Sequence, residues 1–253
     1  MDEEMLLDAL RTAIRAVIGD EERATIAYSG GIDSSIVAAL AKEVCGVRCM
    51  TCAAEGSFDA LNAEGRATEE GLSFAMIEIT ADELADGVAM ASGALGTADP
   101  VAISYTIPTL RVIESSDDRL VLAGNGADEL FGGYSRYTRV QDPLGAMKED
   151  IGKMMYEAAK LSQWATSRGK RAGFPFARDE VRVFSETVPL DRKIRGADRK
   201  MILMDVARLL GLPSFSRPKK AAQYSSGVLK LMRQSARGEG KTLADWTRSI
   251  LEG

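Results

Sequence analysis

Apolar residues in the first 140 positions follow two spacings, one typical of helices and one typical of buried strands. Helical spacing runs from Met5 to Val17, and Gly19 ends it. Short apolar runs predict four strands, near 24–28, 47–53, 74–79 and 119–123. Between these strands, helical spacing predicts helices over 34–45, over 57–70, from a capping box at 80–83, and over 105–115 with Pro108 in its first turn.

Strands that alternate with helices predict an α/β fold: a parallel sheet with helices on both faces and right-handed crossovers. Ligands of such sheets bind beyond the carboxyl ends of the strands, so the loops after strands 1, 2 and 4 are the candidate sites. After residue 142 the pattern predicts helices over 146–167 and 197–211 and no strand. We therefore divide the chain into an ATP-binding α/β region, 1–142, and a helical C-terminal region, 143–253.

The loop after strand 1 carries the first candidate chemistry. It reads Ser-Gly-Gly-Ile-Asp-Ser-Ser over 29–35 and leads into a helix. Glycines let the backbone approach an anion, and the first turn of a helix offers unpaired N–H groups. Asp33 would repel a bare phosphate, which suggests a bridging Mg²⁺. The phosphate-binding candidates are Ser29, Gly30, Gly31, Asp33, Ser34 and Ser35.

This loop resembles the pyrophosphate loop of the N-type ATP pyrophosphatases, enzymes that split ATP between its α- and β-phosphates. It lacks the lysine and the spacing of a Walker A motif. The resemblance implies an adenine nucleotide alpha hydrolase-like fold, also called the PP-loop fold.

A second motif follows strand 4 and reads Gly-Asn-Gly-Ala-Asp-Glu-Leu-Phe-Gly-Gly-Tyr over 124–134. It closely resembles the corresponding stretch of asparagine synthetases. Gly124 and Gly126 are expected to bring backbone N–H groups toward ATP. Asp128 can reach the same metal ion as Asp33 from the neighbouring loop.

A third region, 212–224, resembles the C-terminal Leu-Pro…Arg-Pro-Lys segment of the same family. By position, Lys219 is the lysine that contacts ATP phosphates and the adenylate, with Lys220 as the alternative. An ammonium group near the α-phosphate would stabilise charge that grows on the leaving pyrophosphate.

The resemblance covers about residues 5–235 and implies an ATP- and Mg²⁺-dependent carboxylate–amine ligase that releases AMP and pyrophosphate. Backbone atoms of Cys52, Ala53 and Ala54 would recognise adenine. The sequence contains no glutaminase half, so nitrogen is expected from ammonia, an amine substrate or a separate glutaminase subunit. A homodimer is the other assembly considered.

Two positions depart from the family pattern. Asn125 stands where asparagine synthetases carry a glutamate implicated in acyl transfer, and an amide cannot take up a proton. Asn125 and Lys219 are the catalytic candidates. Arg171 replaces a second family glutamate, and its guanidinium suggests that it binds an acidic acceptor.

Composition narrows the chemistry further. The 253 residues contain no histidine, which excludes histidine-based acid–base catalysis and histidine metal sites. Cys45, Cys49 and Cys52 are expected to be buried structural thiols, the last two on opposite faces of strand 2. The acidic N-terminus and the lack of a long apolar run favour the cytoplasm.

Charge is unevenly distributed: residues 146–253 carry a net charge of +10 and residues 1–145 carry −15. A basic half can bind nucleic acid, but these basic residues are scattered and not interleaved with aromatic residues, which favours a lid over triphosphate or ordinary helix surfaces. Two alternatives to the ligase remain: a nucleotide-binding subunit or sensor without catalysis, and a tRNA-modifying enzyme.

Overall fold

A five-stranded parallel sheet forms the centre of the protein in the computed structural model, which describes residues 2–213 and 225–252. Its strands, in the order β3-β2-β1-β4-β5, are β1 (Arg23–Ala27), β2 (Gly46–Ala53), β3 (Ser73–Glu78), β4 (Leu120–Ala123) and β5 (Arg171–Gly173). The predicted α/β class is confirmed, and the four predicted strands agree with the observed ones to within one residue at each end.

Helices cover both faces of this sheet. In chain order they are α1 (Asp2–Ile18), α2 (Ile32–Lys42), α3 (Phe58–Glu69), α4 (Leu84–Leu95), α5 (Pro100–Ser115), α6 (Ala127–Phe131), α7 (Pro143–Thr166), α8 (Asp179–Thr187), α9 (Leu190–Lys193), α10 (Met201–Leu209), α11 (Val228–Gly238) and α12 (Leu243–Glu252). One face packs mainly against α1, α2, α3, α8 and α10, and the other against α4, α5, α7, α11 and α12. None of the described helices is long and apolar enough to span a bilayer.

The cysteines of β2 show how the strands serve two cores. Cys49 packs on the α1–α2 side and Cys52 on the α4–α5 side, because residues three apart on a strand face opposite ways. Burial raises the pKa of each thiol to about 12. Cys45, at the helix end, is half-buried, and burial also raises the pKa of its thiol. All three thiols are free, and the predicted burial is confirmed for Cys49 and Cys52 but only in part for Cys45.

The structure differs from the prediction in three elements. Strand β5 lies in the region where no strand was predicted, because three residues, Arg-Ala-Gly, carry no periodic signal. Helix α5 begins at Pro100 and not at residue 105, since Asp99 caps it and Pro108 lies inside the helix. Residues 197–200 are not helical: Asp198–Arg199 forms β7, paired with β6 (Ile194–Arg195) in a short antiparallel hairpin.

The order of the strands determines where a ligand can bind. The chain runs from β1 to β2 on one side, whereas β4 pairs with β1 on the other side. At such a reversal the loops after the two central strands diverge and leave a crevice at the carboxyl edge of the sheet. The two glycine-containing motifs lie in these two loops.

Candidate functional site

The loop between β1 and α2 is a tight turn tied to the first turn of the helix. Gly30 has φ +66°, and a Cβ there would lie 3.3 Å from Ala63 Cα of α3. The Ser34 hydroxyl donates to Gly31 O at 3.0 Å and accepts from Ser29 N at 3.3 Å. Among residues 2–213 and 225–252, no side chain caps the N-terminus of α2. Because the first turn of a helix has N–H groups without intrahelical partners, this end of α2 suits an anion.

The loop after β4 touches the first loop directly. A Cβ on Gly124 would lie 3.0 Å from Asp33 Cβ and 3.2 Å from Ser34 N, so only glycine lets the two loops approach this closely. Gly126 has φ +101° and directly precedes α6. The two motifs that the sequence separates by about 95 residues thus form one site.

Asp33 and Asp128 converge on a third residue, Lys200. The Lys200 ammonium lies 2.7 and 2.6 Å from the two carboxylate oxygens of Asp33 and 2.6 Å from Asp128 Oδ1. Lys200 and Asp33 are buried, and Asp128 is half-buried. The predicted meeting of the two aspartates is observed, but sequence reasoning did not select Lys200. The available signal was a lysine directly before the apolar residues of helix α10 (Met201–Leu209).

The hairpin that carries Lys200 packs against the end of the second motif. A Cβ on Gly132 would lie 2.5 Å from Ile194 Cγ1 of β6. The Arg199 guanidinium donates to Gly133 O at 2.5 Å. These contacts fix the 194–200 segment over α6 and direct Lys200 toward the aspartates.

Glu129 lies beside this group and is half-buried. Tyr134 donates its hydroxyl hydrogen to Glu129 Oε1 at 2.6 Å. Burial and, secondly, the neighbouring Asp128 carboxylate raise the pKa of Glu129 to about 7. Sequence reasoning did not single out Glu129, since the exposure of a motif glutamate cannot be read from one sequence.

The raised pKa of Glu129 predicts that the free energy of unfolding of the ATP-free protein depends on pH. The Glu129 carboxyl group binds its proton more tightly in the folded state than in the unfolded state. The protonated carboxyl therefore contributes its full stability below about pH 4.3, and this contribution is lost as pH rises through 7. Glu129→Gln should therefore gain free energy of unfolding relative to the unmodified protein across this window, with a slope of at most about 1.4 kcal/mol per pH unit. Urea unfolding between pH 5 and 8 measures it. Glu64→Gln, at an exposed position, should show no such trend.

The end of β2, where adenine recognition is predicted, is already engaged with other parts of the chain. Ala53 O accepts from Ile79 N at 3.1 Å, and Ala54 N donates to Ser226 O at 2.8 Å. Ala53 and Cys52 are both buried. Beyond them opens a cavity of about 490 Å³ lined in part by Ala54, Ser57, Thr80 and Lys230. Adenine binding by Cys52 and Ala53 stays a prediction.

Arg171 does not reach the site. It begins β5 and pairs with Leu120, the first residue of β4, whereas the motif glycines follow the last residue of β4. Its guanidinium donates to Glu21 Oε1 at 3.0 Å and to Val17 O at 2.8 Å. We correct the interpretation of Arg171 as an acceptor-binding residue: it joins β5 to the end of α1 at the amino edge of the sheet.

The correction predicts a specific behaviour for Arg171→Met. The two lost hydrogen bonds involve a side chain that is 39% exposed, so we expect a stability loss of only about 1 kcal/mol, or a few degrees in Tm. The KM for the carboxylate acceptor should stay within about twofold. A raised KM with unchanged Tm would restore the acceptor-binding interpretation.

Of the two catalytic candidates, Asn125 and Lys219, the structure describes only Asn125. Asn125 is exposed in the loop after β4, next to the site. Lys219 and its alternative Lys220 lie outside the described residues, so their predicted contacts stay predictions.

The residues that converge here fit ATP and a magnesium ion. Mg²⁺ is usually held by one or two carboxylates together with phosphate oxygens, and Asp33 and Asp128 already surround one cation, the Lys200 ammonium. Gly124 lets the second loop lie directly against Asp33 and the first turn of α2, the helix end that suits a phosphate group.

Comparison of the sequence with known proteins identifies the family. The family model described as asparagine synthase matches residues 5–173, about two thirds of the chain. The chain belongs to the asparagine synthase family.

Relatives of this family member include longer proteins. A putative glutamine-hydrolysing asparagine synthetase of Methanocaldococcus jannaschii is 29% identical over 94% of this chain and 52% of its own length. Asparagine synthetase B of Escherichia coli is 25% identical over 90% of this chain and 45% of its own length. The chain thus spans about half the length of these relatives. An NMN synthetase structure from Francisella tularensis has a TM-score of 0.48 and 14% identity, covering 99% of this chain and 92% of that one.

Proposed function

We propose that this protein is an ATP-dependent amide ligase that joins a carboxylate to ammonia or an amine and releases AMP and pyrophosphate. The observation that carries the proposal is the convergence of Asp33 and Asp128 beside the two glycine loops. Family membership supports the ligase class, and the loop over 29–35 supports cleavage between the α- and β-phosphates.

The residues have distinct roles in this reaction. The turn at 29–35 binds the pyrophosphate portion of ATP through N–H groups and the hydroxyls of Ser29 and Ser34. The Ser35 hydroxyl, predicted to join them, is instead buried and donates to Glu70 Oε1 at 2.6 Å. Asp33 and Asp128 would hold Mg²⁺, which would offset negative charge on the phosphates. The acceptor carboxylate attacks the α-phosphorus, and pyrophosphate leaves from the opposite side. Lys219 would stabilise the charge on that leaving group.

The second half-reaction uses the acyl-adenylate. Ammonia or an amine attacks the acyl carbon, the bond to AMP breaks, and the nitrogen loses a proton. Asn125 cannot accept this proton, so the base is another group or solvent. Asparagine is the nearest product by family, and a different amide is the alternative. The ammonia would come either from ammonium in solution or from a separate glutaminase subunit.

A turnover screen tests the proposal. The protein is incubated with Mg²⁺, ATP and ammonium over a panel of amino and keto acids, and AMP and pyrophosphate are measured in equal amounts. Acceptor-dependent formation of both products supports the ligase. ATP binding without turnover for any acceptor or amine would identify a nucleotide-binding subunit, and AMP formation that depends on tRNA would identify a tRNA-modifying enzyme.

A further inference from the structure

We infer that Lys200 is an internal cation that holds Asp33 and Asp128 together in the ATP-free protein and leaves that position when Mg²⁺ arrives with ATP. The inference rests on the proposed function for the identity of the incoming cation. Its claim about Lys200 is tested without turnover.

The Lys200 ammonium makes the contacts that a bound cation would make. An ammonium group has three N–H donors, and three carboxylate oxygens lie 2.6 to 2.7 Å from Lys200 Nζ. The side chain is 6% exposed, so little water competes for these donors. All the hydrogen-bonding capacity of the ammonium is directed at the two predicted metal ligands.

Backbone geometry shows that this placement is imposed by the fold. Among the described residues, Lys200 is the one non-glycine residue with a positive φ, at +56°. This conformation is unfavourable for a side chain with a Cβ. Gly133 makes room: a Cβ there would lie 2.3 Å from Lys200 Cε and 1.7 Å from Asp128 Oδ1. The strained backbone of Lys200 and the missing side chain of Gly133 together allow the ammonium group to take this position.

The ammonium and a metal ion cannot share these oxygens. Mg²⁺ binds its oxygen ligands at about 2.0 to 2.1 Å, so an ion held by both aspartates would lie next to Lys200 Nζ in a space with little water. Two positive charges at that distance repel strongly in a buried site. Lysine has a flexible four-carbon stem, so Lys200 can turn its ammonium to a phosphate oxygen of ATP.

The exchange predicts a dependence between the two ligands. Without ATP, Mg²⁺ must displace Lys200 and leave it buried without an anion, so the metal ion alone binds poorly. With ATP, the phosphates supply anionic partners for both cations. Metal binding therefore follows nucleotide binding or accompanies it.

Metal binding to nucleotide-free protein tests this inference, with Mn²⁺ as the probe for electron paramagnetic resonance. In Lys200→Met the aspartates lose a buried counterion, so the variant should unfold at a lower temperature than the unmodified protein in EDTA. Mn²⁺ should restore its Tm and bind at least tenfold more tightly than to the unmodified protein. Lys193→Met, which removes another buried lysine at the end of helix α9, should show no gain in Mn²⁺ affinity.

The outcomes separate this inference from the proposed function. If Lys200→Met does not fold in EDTA, it is refolded with Mn²⁺, and failure to refold with the metal overturns the inference. Equal Mn²⁺ affinity in the variant and the unmodified protein also overturns it. Absence of turnover with every acceptor, combined with the gain in Mn²⁺ affinity, would refute the ligase alone.

Discussion

Replacing Asp128 with asparagine is expected to lower acceptor-dependent AMP formation at least about a thousandfold while the protein remains folded. The amide removes one of the two carboxylates proposed to hold the metal ion that neutralises the phosphates. Loss of such a charge contact in a buried site costs several kcal/mol in the transition state, and about 4 kcal/mol corresponds to a thousandfold. Lys200 keeps both oxygens of Asp33 as partners, so the ammonium is not left without an anion.

The measurement is pyrophosphate release under saturating ATP, with Tm recorded on the same preparation. Asp117→Asn is the matched control, because Asp117 is 95% exposed and its ion pair with Arg48 is long, at 3.7 Å. The control should keep full turnover. If Asp128→Asn retains more than about a tenth of the activity, Asp128 is not a metal ligand and the metal assignment fails.

The part of the site that the sequence predicts well is local. Each glycine motif directly follows an apolar run, and adjacent parallel strands bring the loops at their carboxyl ends together, so Asp33 and Asp128 could be paired before any coordinates were known. Close approach at Gly124 is the physical reason that both motifs need glycines.

The parts that could not be predicted depend on chain direction and on distant packing. Arg171 was assigned from its place in a family segment, yet the direction of a three-residue strand, which no periodicity reveals, places it at the opposite edge of the sheet. Lys200 lies 72 residues after Asp128. It reaches the aspartates only because the hairpin of β6 and β7, together with the left-handed backbone conformation at Lys200, directs its side chain inward.

Gly133→Ala is expected to lose nearly all turnover and to unfold several degrees lower than the unmodified protein. Its new methyl group would overlap the Asp128 carboxylate and Lys200 Cε, at 1.7 and 2.3 Å. The backbone cannot easily retreat, because Gly133 N donates to Asp128 O at 2.8 Å and Gly133 O accepts from Arg199. Overpacking of this kind costs about 1 to 3 kcal/mol, which corresponds to several degrees in Tm for a chain of this size.

Gly152→Ala provides the matched control for this substitution. Gly152 lies within α7, and a Cβ there would meet no atom within 4 Å. Alanine is favoured over glycine inside a helix, so this variant should keep its turnover and have an equal or higher Tm. If Gly133→Ala matched Gly152→Ala in both measurements, Asp128 and Lys200 would have to sit elsewhere in the working protein. The close packing of Gly133, Asp128 and Lys200 would then not be the arrangement that binds ATP.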